Sequence, residues 1–246
     1  MAAAPARSRL GPIVAIVLVV VLLVAGAGIW YLFFRPAGPA PVALGSVAPA
    51  GAPGGSPAAG SGGIAGTWSV DPSVGSFSDF SGSFVGYRVK ETLASIGATE
   101  AVGRTPAVTG TVTVEGTTIT AAQLKADLTG LRSDDDRRDG QLRHQALETA
   151  QFPTASFTLT APVDLGSVPA EGATSDVTVT GDLTLHGVTK SVQVPLQARL
   201  QGGVVTIAGS LPITFADFSI VPPQSMMVLS VEDKGVMELQ LQLTKP

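Results

Sequence analysis

Few residues of this chain have side chains suited to catalysis or metal binding. The 246-residue sequence has no cysteine and only two histidines, His144 and His186. It therefore offers no thiol nucleophile, disulfide or thiolate metal site, and two imidazoles are too few for a histidine-rich one. No nucleophile–base pair with a plausible spacing, phosphate-binding glycine loop or zinc-protease motif occurs. We predict a protein that is not an enzyme and that uses no metal or other cofactor.

The densest group of charges lies in residues 133–150, SDDDRRDGQLRHQALETA. Ser133 could cap a short helix, with the acidic residues after it favoured by the helix dipole. Three consecutive carboxylates on a helix point in different directions, so a solvated cap is a better interpretation than a cation site. The cluster that follows forms either weak surface ion pairs or donors for the polar head of a ligand. It comprises Arg137, Arg138, Asp139 and Arg143.

The elements that must position these residues are β-strands. From Gly66 onward, apolar and polar residues alternate, as is typical of antiparallel strands with one apolar face and one face in water. About eight such strands predict an all-β fold, either a closed barrel or a sandwich. An eight-stranded barrel can be filled by its own side chains or can hold one small ligand. The strand candidates are 108–114, 177–185, 192–200, 239–243, Gly82–Val89, Lys125–Leu131, Ala155–Thr160 and Val204–Phe215.

An apolar stretch near the N-terminus, Ile13–Phe34, carries no charged residue and is long enough to cross a bilayer. Arg7 and Arg9 precede it, whereas only Arg35 follows it. The positive-inside rule therefore places residues 1–12 in the cytoplasm and the C-terminal part outside the cell membrane. We predict a single-pass anchor whose lipid partner is the bilayer.

The alternative to an anchor is a cleaved signal peptide, for which Ala25-Gly26-Ala27 offers a small-residue cleavage site. The apolar chain continues beyond that site, which favours the uncleaved anchor. A lipid-anchored lipoprotein is excluded because there is no cysteine to acylate. Residues 35–65 are nearly all Pro, Gly, Ala and Ser, a composition typical of a disordered linker.

Three motifs in the domain 66–246 resemble the YceI family of lipid- or polyisoprenoid-binding proteins. GTWSVDP is similar to the family's opening signature, and RRDGQLR followed by FPTASFTLT is similar to its central one. VTGDLTLHGVTKSVQVPL is close to the family's hairpin motif. The matching residues are Trp68, Val70, Asp71, Arg138, Asp139, Leu142, Pro153, Phe157, Gly181, Leu183, Thr184, Leu185, Gly187, Val188, Thr189 and Lys190.

The resemblance implies an extended, lipocalin-like antiparallel barrel with a short helical segment at one end. It also implies a long apolar channel for an isoprenoid or fatty-acyl chain. Two histidines that many members carry are absent. Gly75-Ser76-Phe77 occupies the position of the first, and Tyr87 and Arg88 lie in the region of the second. This departure implies a different preference for the ligand's head group.

Two functions are consistent with these observations. The first is a membrane-tethered extracytoplasmic carrier or store of a long-chain lipid. The second is a filled barrel that binds a protein or a cell-wall component. Nucleic acid is not an expected partner, because the net charge is −4 and basic residues do not cluster. For the carrier, we predict a channel lined by Phe84, Val112, Leu128, Phe157, Leu159, Leu183, Leu185, Leu196 and Phe215, with Arg138, Asp139 and Arg143 near its mouth.

Overall fold

The computed structural model describes Val21 and residues 38–44, 63–94, 97–223 and 228–245. The predicted cytoplasmic segment 1–12 and all of the predicted span 13–34 except Val21 lie outside these residues. Within the described residues, no helix combines the length and apolar character that crossing a bilayer requires. The chain divides into two units, Met1–Ala37 and Gly38–Pro246, and the second contains the β-domain.

The described part of the second unit is an all-β, antiparallel domain with one short α-helix. Its twelve strands form one sheet. They are β1 (Gly66–Val70), β2 (Phe84–Leu93), β3 (Gly97–Thr105), β4 (Val108–Glu115), β5 (Thr118–Asp127), β6 (Thr154–Leu159), β7 (Val163–Asp164), β8 (Thr174–Leu185), β9 (Val188–Gln201), β10 (Val204–Thr214), β11 (Val228–Val231) and β12 (Lys234–Thr244).

Eight of these strands close into a barrel in the order β1-β4-β5-β6-β8-β9-β10-β12, and β1 pairs with β12 to complete the ring. Strand β12 shares one edge between two partners: β1 pairs near Leu243 and β2 pairs between Val236 and Gln240. Strands β3 and β11 extend the sheet from β2, and β7 pairs with β5. This closure leaves few exposed strand edges.

The sequence pattern predicted the long strands and missed the short or unpatterned ones. Strands β4, β8, β9 and β12 fall on the alternating segments. The predicted strand Lys125–Leu131 was wrong in its bounds, because β5 ends at Asp127 and a turn follows. Strand β3 was missed because residues 101–105 are all buried. A strand covered on both faces shows no alternation of apolar and polar residues.

The helical segment lies at one end of the barrel, which we call the helix end. Helix α1 (Asp136–Gln141) is followed by a π-helical turn, Leu142–Ala146. The predicted N-cap, Ser133, was wrong. Asp135 is the cap, and its carboxylate accepts bonds from the Arg137 and Arg138 amides at 2.9 and 3.2 Å. The β8–β9 hairpin and the 3₁₀ turn Phe215–Phe218 lie at the same end, where Lys190 pairs with Asp217.

Two apolar clusters pack within the barrel. One lies at the helix end, and its buried members include Leu128, Leu183 and Phe218. The other surrounds Trp68, whose indole nitrogen donates to the Ile64 carbonyl at 2.8 Å. Several hydrophobic side chains that pack against these clusters remain only half-buried.

The outer face of β12 is covered rather than solvated. Residues 71–83, the β1–β2 loop, lie across it. Gln240 donates to the Phe80 and Gly82 carbonyls at 2.8 and 2.9 Å, and Gln242 donates to the Ser81 carbonyl at 2.8 Å. The alternation of Glu238, Gln240 and Gln242 with leucines predicted a face in water. That prediction was wrong because the loop carbonyls replace water as partners of Gln240 and Gln242. Arg88 and Arg104 do so for Glu238.

Part of the predicted linker also packs on the barrel. We call Gly38–Leu44 the strap. The strap carbonyls of Pro39 and Ala40 accept bonds from Arg88 and Arg104 at 2.6 and 3.1 Å. At the far end of the strap, the Leu44 amide donates to the Gln197 side chain at 3.2 Å, and only 1% of Leu44 is exposed. The strap is therefore bonded to the domain near both of its ends, and Leu44 is buried there.

Candidate functional site

The barrel encloses an apolar cavity of about 250 Å³. This volume is far larger than the small packing gaps of a filled protein interior. Side chains that line the cavity, such as Phe157, Leu196 and Met237, are only half-buried although they point into the barrel. A core packed with side chains would bury them fully. The described barrel is therefore hollow over part of its length.

Most of the predicted channel residues do line this cavity. Inward-facing positions of β4, β6, β8 and β9 contribute to the wall, together with residues that follow β5 and β10. Whether these residues contact a ligand remains a prediction. The predicted residues that line the cavity are Val112, Leu128, Phe157, Leu159, Leu183, Leu185, Leu196 and Phe215.

The prediction that Phe84 faces the channel was wrong. Val85 lines the cavity, so the preceding residue of β2 points to the outer face. There the Phe84 ring packs edge-on against Phe80 of the β1–β2 loop, with the ring centroids 5.7 Å apart. The Arg104 guanidinium lies 4.4 Å from the Phe84 ring centroid. The aromatic side chain of Phe84 does not indicate the barrel interior, because the β1–β2 loop also buries the outer face at this position.

An ion pair lies in the cavity wall at the helix end. Arg138 of α1 reaches Glu91 of β2, with its Nη2 2.8 Å from the carboxylate. Its Nη1 bonds to Asp134 at 2.6 Å. Burial disfavours the charge of Arg138, but Glu91 and Asp134 outweigh it and raise the pKa of the guanidinium. Arg138 therefore stays cationic and is already paired with carboxylates.

The other two predicted mouth residues do not line the cavity. The buried Asp139 carboxylate accepts bonds from the Ser133 amide and hydroxyl, at 2.9 and 2.7 Å. It thus holds the loop before α1 in place. Arg143 donates to the Leu131 carbonyl at 3.4 Å, which places its guanidinium against a turn. Of the three predicted residues, only Arg138 belongs to the cavity wall.

Tyr87 lines the cavity although it was not among the predicted ligand-site residues. Its ring lies against Gly103 of β3, so closely that a side chain at that position would clash with it. Burial raises the pKa of Tyr87, so the phenol stays protonated. The Tyr87 hydroxyl has no hydrogen-bond partner among the described residues.

Strand parity alone places Tyr87 and Glu91 on the inner face of β2. In β2, Val85 and Val89 face inward, and residues two apart on a strand share a face. The pattern V-x-Y-x-V-x-E therefore marks Tyr87 and Glu91 as inward-facing. The predicted strand Gly82–Val89, with Phe84 facing the channel, has the opposite parity and ends before Glu91.

The two histidines lie in different surroundings. His144 is exposed on the π-helical turn. His186 is buried at the β8–β9 turn, where its ring nitrogens lie 3.1 Å from the Phe218 carbonyl and 3.1 Å from the Glu148 carboxylate. His186 thus connects three segments of the helix end. Among the described residues, no group of three or more metal-ligating side chains could hold a metal ion.

The fold and the cavity together define a small antiparallel barrel with an internal apolar site. A family model described as YceI-like domain matches residues 68–243, and the chain belongs to this family. The resemblance noted in the three sequence motifs is therefore confirmed. No protein of curated function matches the sequence.

Two of the solved structures that match this chain illustrate the shared fold. One is a polyisoprenoid binding domain from Saccharophagus degradans implicated in plant cell wall breakdown, with 24% identity and a TM-score of 0.55. That match covers 73% of this chain and 98% of the other. The second is Burkholderia cenocepacia BcnA, with 21% identity, a TM-score of 0.50, and coverage of 65% and 95%. At these identities, the likeness concerns the fold alone.

Proposed function

We propose that the protein binds one long-chain lipid, an isoprenoid or a fatty-acyl chain, with its tail in the barrel cavity. The single observation that supports this function is the hollow apolar interior. Each buried CH₂ group contributes about 0.8 kcal/mol, so a long tail supplies affinity with few polar contacts. The binding of polyisoprenoid by the related domain from Saccharophagus degradans fits the same chemistry.

We infer that the role is carriage or storage rather than catalysis. The cavity wall holds one ion pair, Glu91 with Arg138, whose charges neutralise each other. General acid–base catalysis needs a side chain that is free to exchange a proton with the reacting group, whereas Glu91 and Arg138 are already bonded to each other. The alternative, a filled barrel that binds a protein or wall component, relies on a packed interior and is therefore the weaker candidate.

We also propose that the domain works at the outer face of the cell membrane. The support is the charge-free stretch Ile13–Phe34 and the arginines around it. A ligand of this class partitions into bilayers, so a tethered carrier would meet it there. Protease treatment of intact spheroplasts tests this placement: an extracytoplasmic domain is digested, whereas a cytoplasmic one is protected.

The test of the lipid-binding function is to purify the full-length protein from its native host and identify what it carries. Native mass spectrometry should show a bound species of lipid mass, and extraction should release a long-chain isoprenoid or acyl lipid. Adding that lipid to stripped protein should raise the melting temperature. A protein that carries no lipid and whose melting temperature does not respond to isoprenoids would contradict the proposal.

A further inference from the structure

Two exposed apolar side chains lie beside the edge of the barrel cavity. Among the described residues of the β-domain, three large apolar side chains are between 51% and 67% exposed: Val168, Val221 and Leu229. Val221 directly precedes Pro222 and Pro223, which line the cavity. Single exposed apolar residues are common on protein surfaces, whereas a group of them beside an apolar site is typical of an interaction surface.

Leu229 is exposed because β11 carries an extra residue at this point. The two residues that flank it pair with consecutive residues of β2, Leu93 and Thr92, so Leu229 has no pairing partner on that strand. Such an extra residue forms a β-bulge, which re-aims a side chain relative to regular pairing. Two residues further along β11, Val231 lines the cavity. Leu229 therefore lies about 7 Å beyond the cavity wall along the strand.

Both exposed side chains belong to the helix end. Residue 221 follows the turn Phe215–Phe218 at that end. Val231 pairs with Glu91, and Glu91 bonds to Arg138 of α1. The two segments therefore border the same end of the cavity. We call their four apolar residues the rim: Val221, Pro222, Pro223 and Leu229.

The start of the strap lies on the same part of the sheet as the rim. Arg88 of β2 donates to the Pro39 carbonyl at 2.6 Å, and Gly38 lies against the Val102 side chain of β3. Arg88 comes five residues before Leu93, which pairs with β11. Five residues extend over about 17 Å in a strand. The strap thus begins on the strands that lead to the rim.

The chain between the predicted membrane span and the strap is short. The span Ile13–Phe34 ends four residues before Gly38, and four residues extend over at most about 14 Å. A span that crosses the bilayer would therefore hold β2 and β3 close to the membrane surface. For an apolar surface kept at that distance, the nearest apolar partner is the bilayer itself.

From these observations we propose that the rim is the surface through which the barrel docks on the lipid bilayer. Its apolar side chains would enter the boundary between head groups and acyl chains. The exposed charges of the turn after β11, Glu232, Asp233 and Lys234, would stay among the hydrated head groups. This inference rests on the proposed membrane placement and lipid binding, and it specifies where the barrel exchanges its ligand with the membrane.

The absence of cysteine allows one labelled position at a time. The full-length variants Leu229→Cys, Val221→Cys and Val168→Cys are labelled with an environment-sensitive fluorophore and reconstituted into phosphatidylcholine nanodiscs. Half of the nanodiscs contain a lipid whose acyl chain carries a quencher. We expect strong quenching of the probes at positions 229 and 221, because the rim would lie about 5–10 Å deep in the interface. The probe at position 168 should not be quenched.

Val168 is the matched control because it is an exposed valine at the other end of the barrel. It follows β7, which pairs with the start of β5, whereas α1 follows the end of β5. A probe there has the same chemistry and the same tether to the membrane. A difference between positions 229 and 168 therefore reports which surface contacts the lipid.

A charge placed on the rim tests whether docking serves lipid exchange. Leu229→Asp removes a leucine from the contact, so the rate at which delipidated full-length protein takes up geranylgeraniol from phosphatidylcholine vesicles should fall about tenfold. Val168→Asp should leave this rate unchanged. Both residues are exposed, so both variants should keep the parent melting temperature.

The outcomes separate this inference from the function on which it rests. Equal quenching at all three positions, or none at position 229, overturns the docking surface and leaves lipid binding intact. Uptake rates that the two aspartate variants change equally also overturn it. So does energy transfer between copies labelled at position 229 that persists on dilution with lipid, because the rim would then join two copies of the chain. Quenching at the rim in a parent protein that takes up no lipid supports docking and contradicts the proposed lipid binding.

Discussion

Arg88 and Arg104 form an unusual feature at the residue scale, because both guanidinium groups are buried on the outer face of the barrel. Both pair with Glu238, at 3.0 and 3.1 Å. Burial opposes the charge of Arg88, but its bonds to Glu100 and Glu238 raise its pKa, whereas burial lowers the pKa of Arg104. Arg104 also lies 4.5 Å from the centroid of the Phe80 ring. Glu238 is thus the shared counter-ion of two buried cations.

We expect Glu238→Gln to destabilise the domain by about 3 kcal/mol or more, because it leaves the buried Arg104 guanidinium without its carboxylate partner. Glu238 is 3% exposed, so water cannot replace the carboxylate. The measurement is chemical denaturation of the full-length protein. The control is Asp217→Asn, which breaks the exposed Lys190–Asp217 pair and should cost less than about 1 kcal/mol. Equal losses for the two variants would contradict the assignment.

The ionisation of Asp71 makes the stability of the domain depend on pH. Its carboxylate accepts bonds from the Ser73 hydroxyl and amide at 2.6 and 2.8 Å and from the Thr244 hydroxyl at 3.0 Å. These bonds, led by that of the Ser73 hydroxyl, lower the pKa of Asp71. A group with a lowered folded-state pKa stabilises the fold above its unfolded pKa of about 3.9. That stability is lost as the pH falls through the folded-state value.

We therefore predict that Asp71→Asn flattens the pH profile of stability below about pH 4. The amide oxygen of asparagine can still accept from Ser73, so the turn is kept while its titration is removed. The measurement is the free energy of unfolding of parent and variant in steps of decreasing pH. Parallel profiles would show that Asp71 does not titrate in linkage with folding.

At the scale of elements, the sequence predicted those strands that have one buried and one solvent-exposed face. Strands β8, β9 and β12 were found because their leucines and valines recur at every second position. Strand β3 and the direction of Phe84 were not, because the strap and the β1–β2 loop bury a second face. Alternation indicates that the two faces of a strand differ in polarity. It does not indicate whether a segment from elsewhere in the chain covers the polar face. The cavity was inferred from family resemblance, since periodicity is the same in a filled and a hollow barrel.

The strap is the element whose structure was least predictable from amino-acid composition. Its Pro- and Ala-rich sequence is typical of a linker, yet Leu44 is 1% exposed and two buried arginines donate to strap carbonyls. Without the strap, those guanidinium groups would lose these two acceptors. The strap thus covers part of the outer charged face of β2, β3 and β12.

We expect Leu44→Ala to destabilise the domain by about 2 kcal/mol, the low end for truncating a buried leucine, since a surface-laid segment can adjust. Leu229→Ala is the matched control, because Leu229 is 67% exposed and its truncation should change the stability by less than about 0.5 kcal/mol. Hydrogen exchange at the Leu44 amide should speed up in the alanine variant. Unchanged stability and exchange would mean that the strap does not pack on the barrel in solution.

At the scale of the whole molecule, contacts on the outside of the barrel add to the stability that its apolar clusters provide. Apolar clusters lie around Trp68 and at the helix end, and the cavity draws its wall from both. The outer charged face, the strap and the β1–β2 loop hold one side of the barrel from outside. A barrel stabilised in this way can keep unfilled space, although unfilled apolar space weakens packing. Residues that face the cavity should therefore tolerate larger side chains better than ordinary core residues do.

The last prediction uses two neighbouring alanines of β5. Ala122 lines the cavity and is only half-buried, whereas Ala121 is exposed and does not line it. Ala122→Phe should place a ring in the 250 Å³ space and reduce lipid occupancy at least about tenfold, while the free energy of unfolding falls by less than about 1 kcal/mol. Ala121→Phe adds the same ring to the outer face and should leave lipid occupancy unchanged. Lipid extraction followed by mass spectrometry gives the occupancy, and denaturation gives the stability.

If Ala122→Phe carries as much lipid as the parent, the tail does not occupy this cavity. If it instead unfolds the domain, the interior is already filled, because a ring can enter a vacant space without displacing the residues around it.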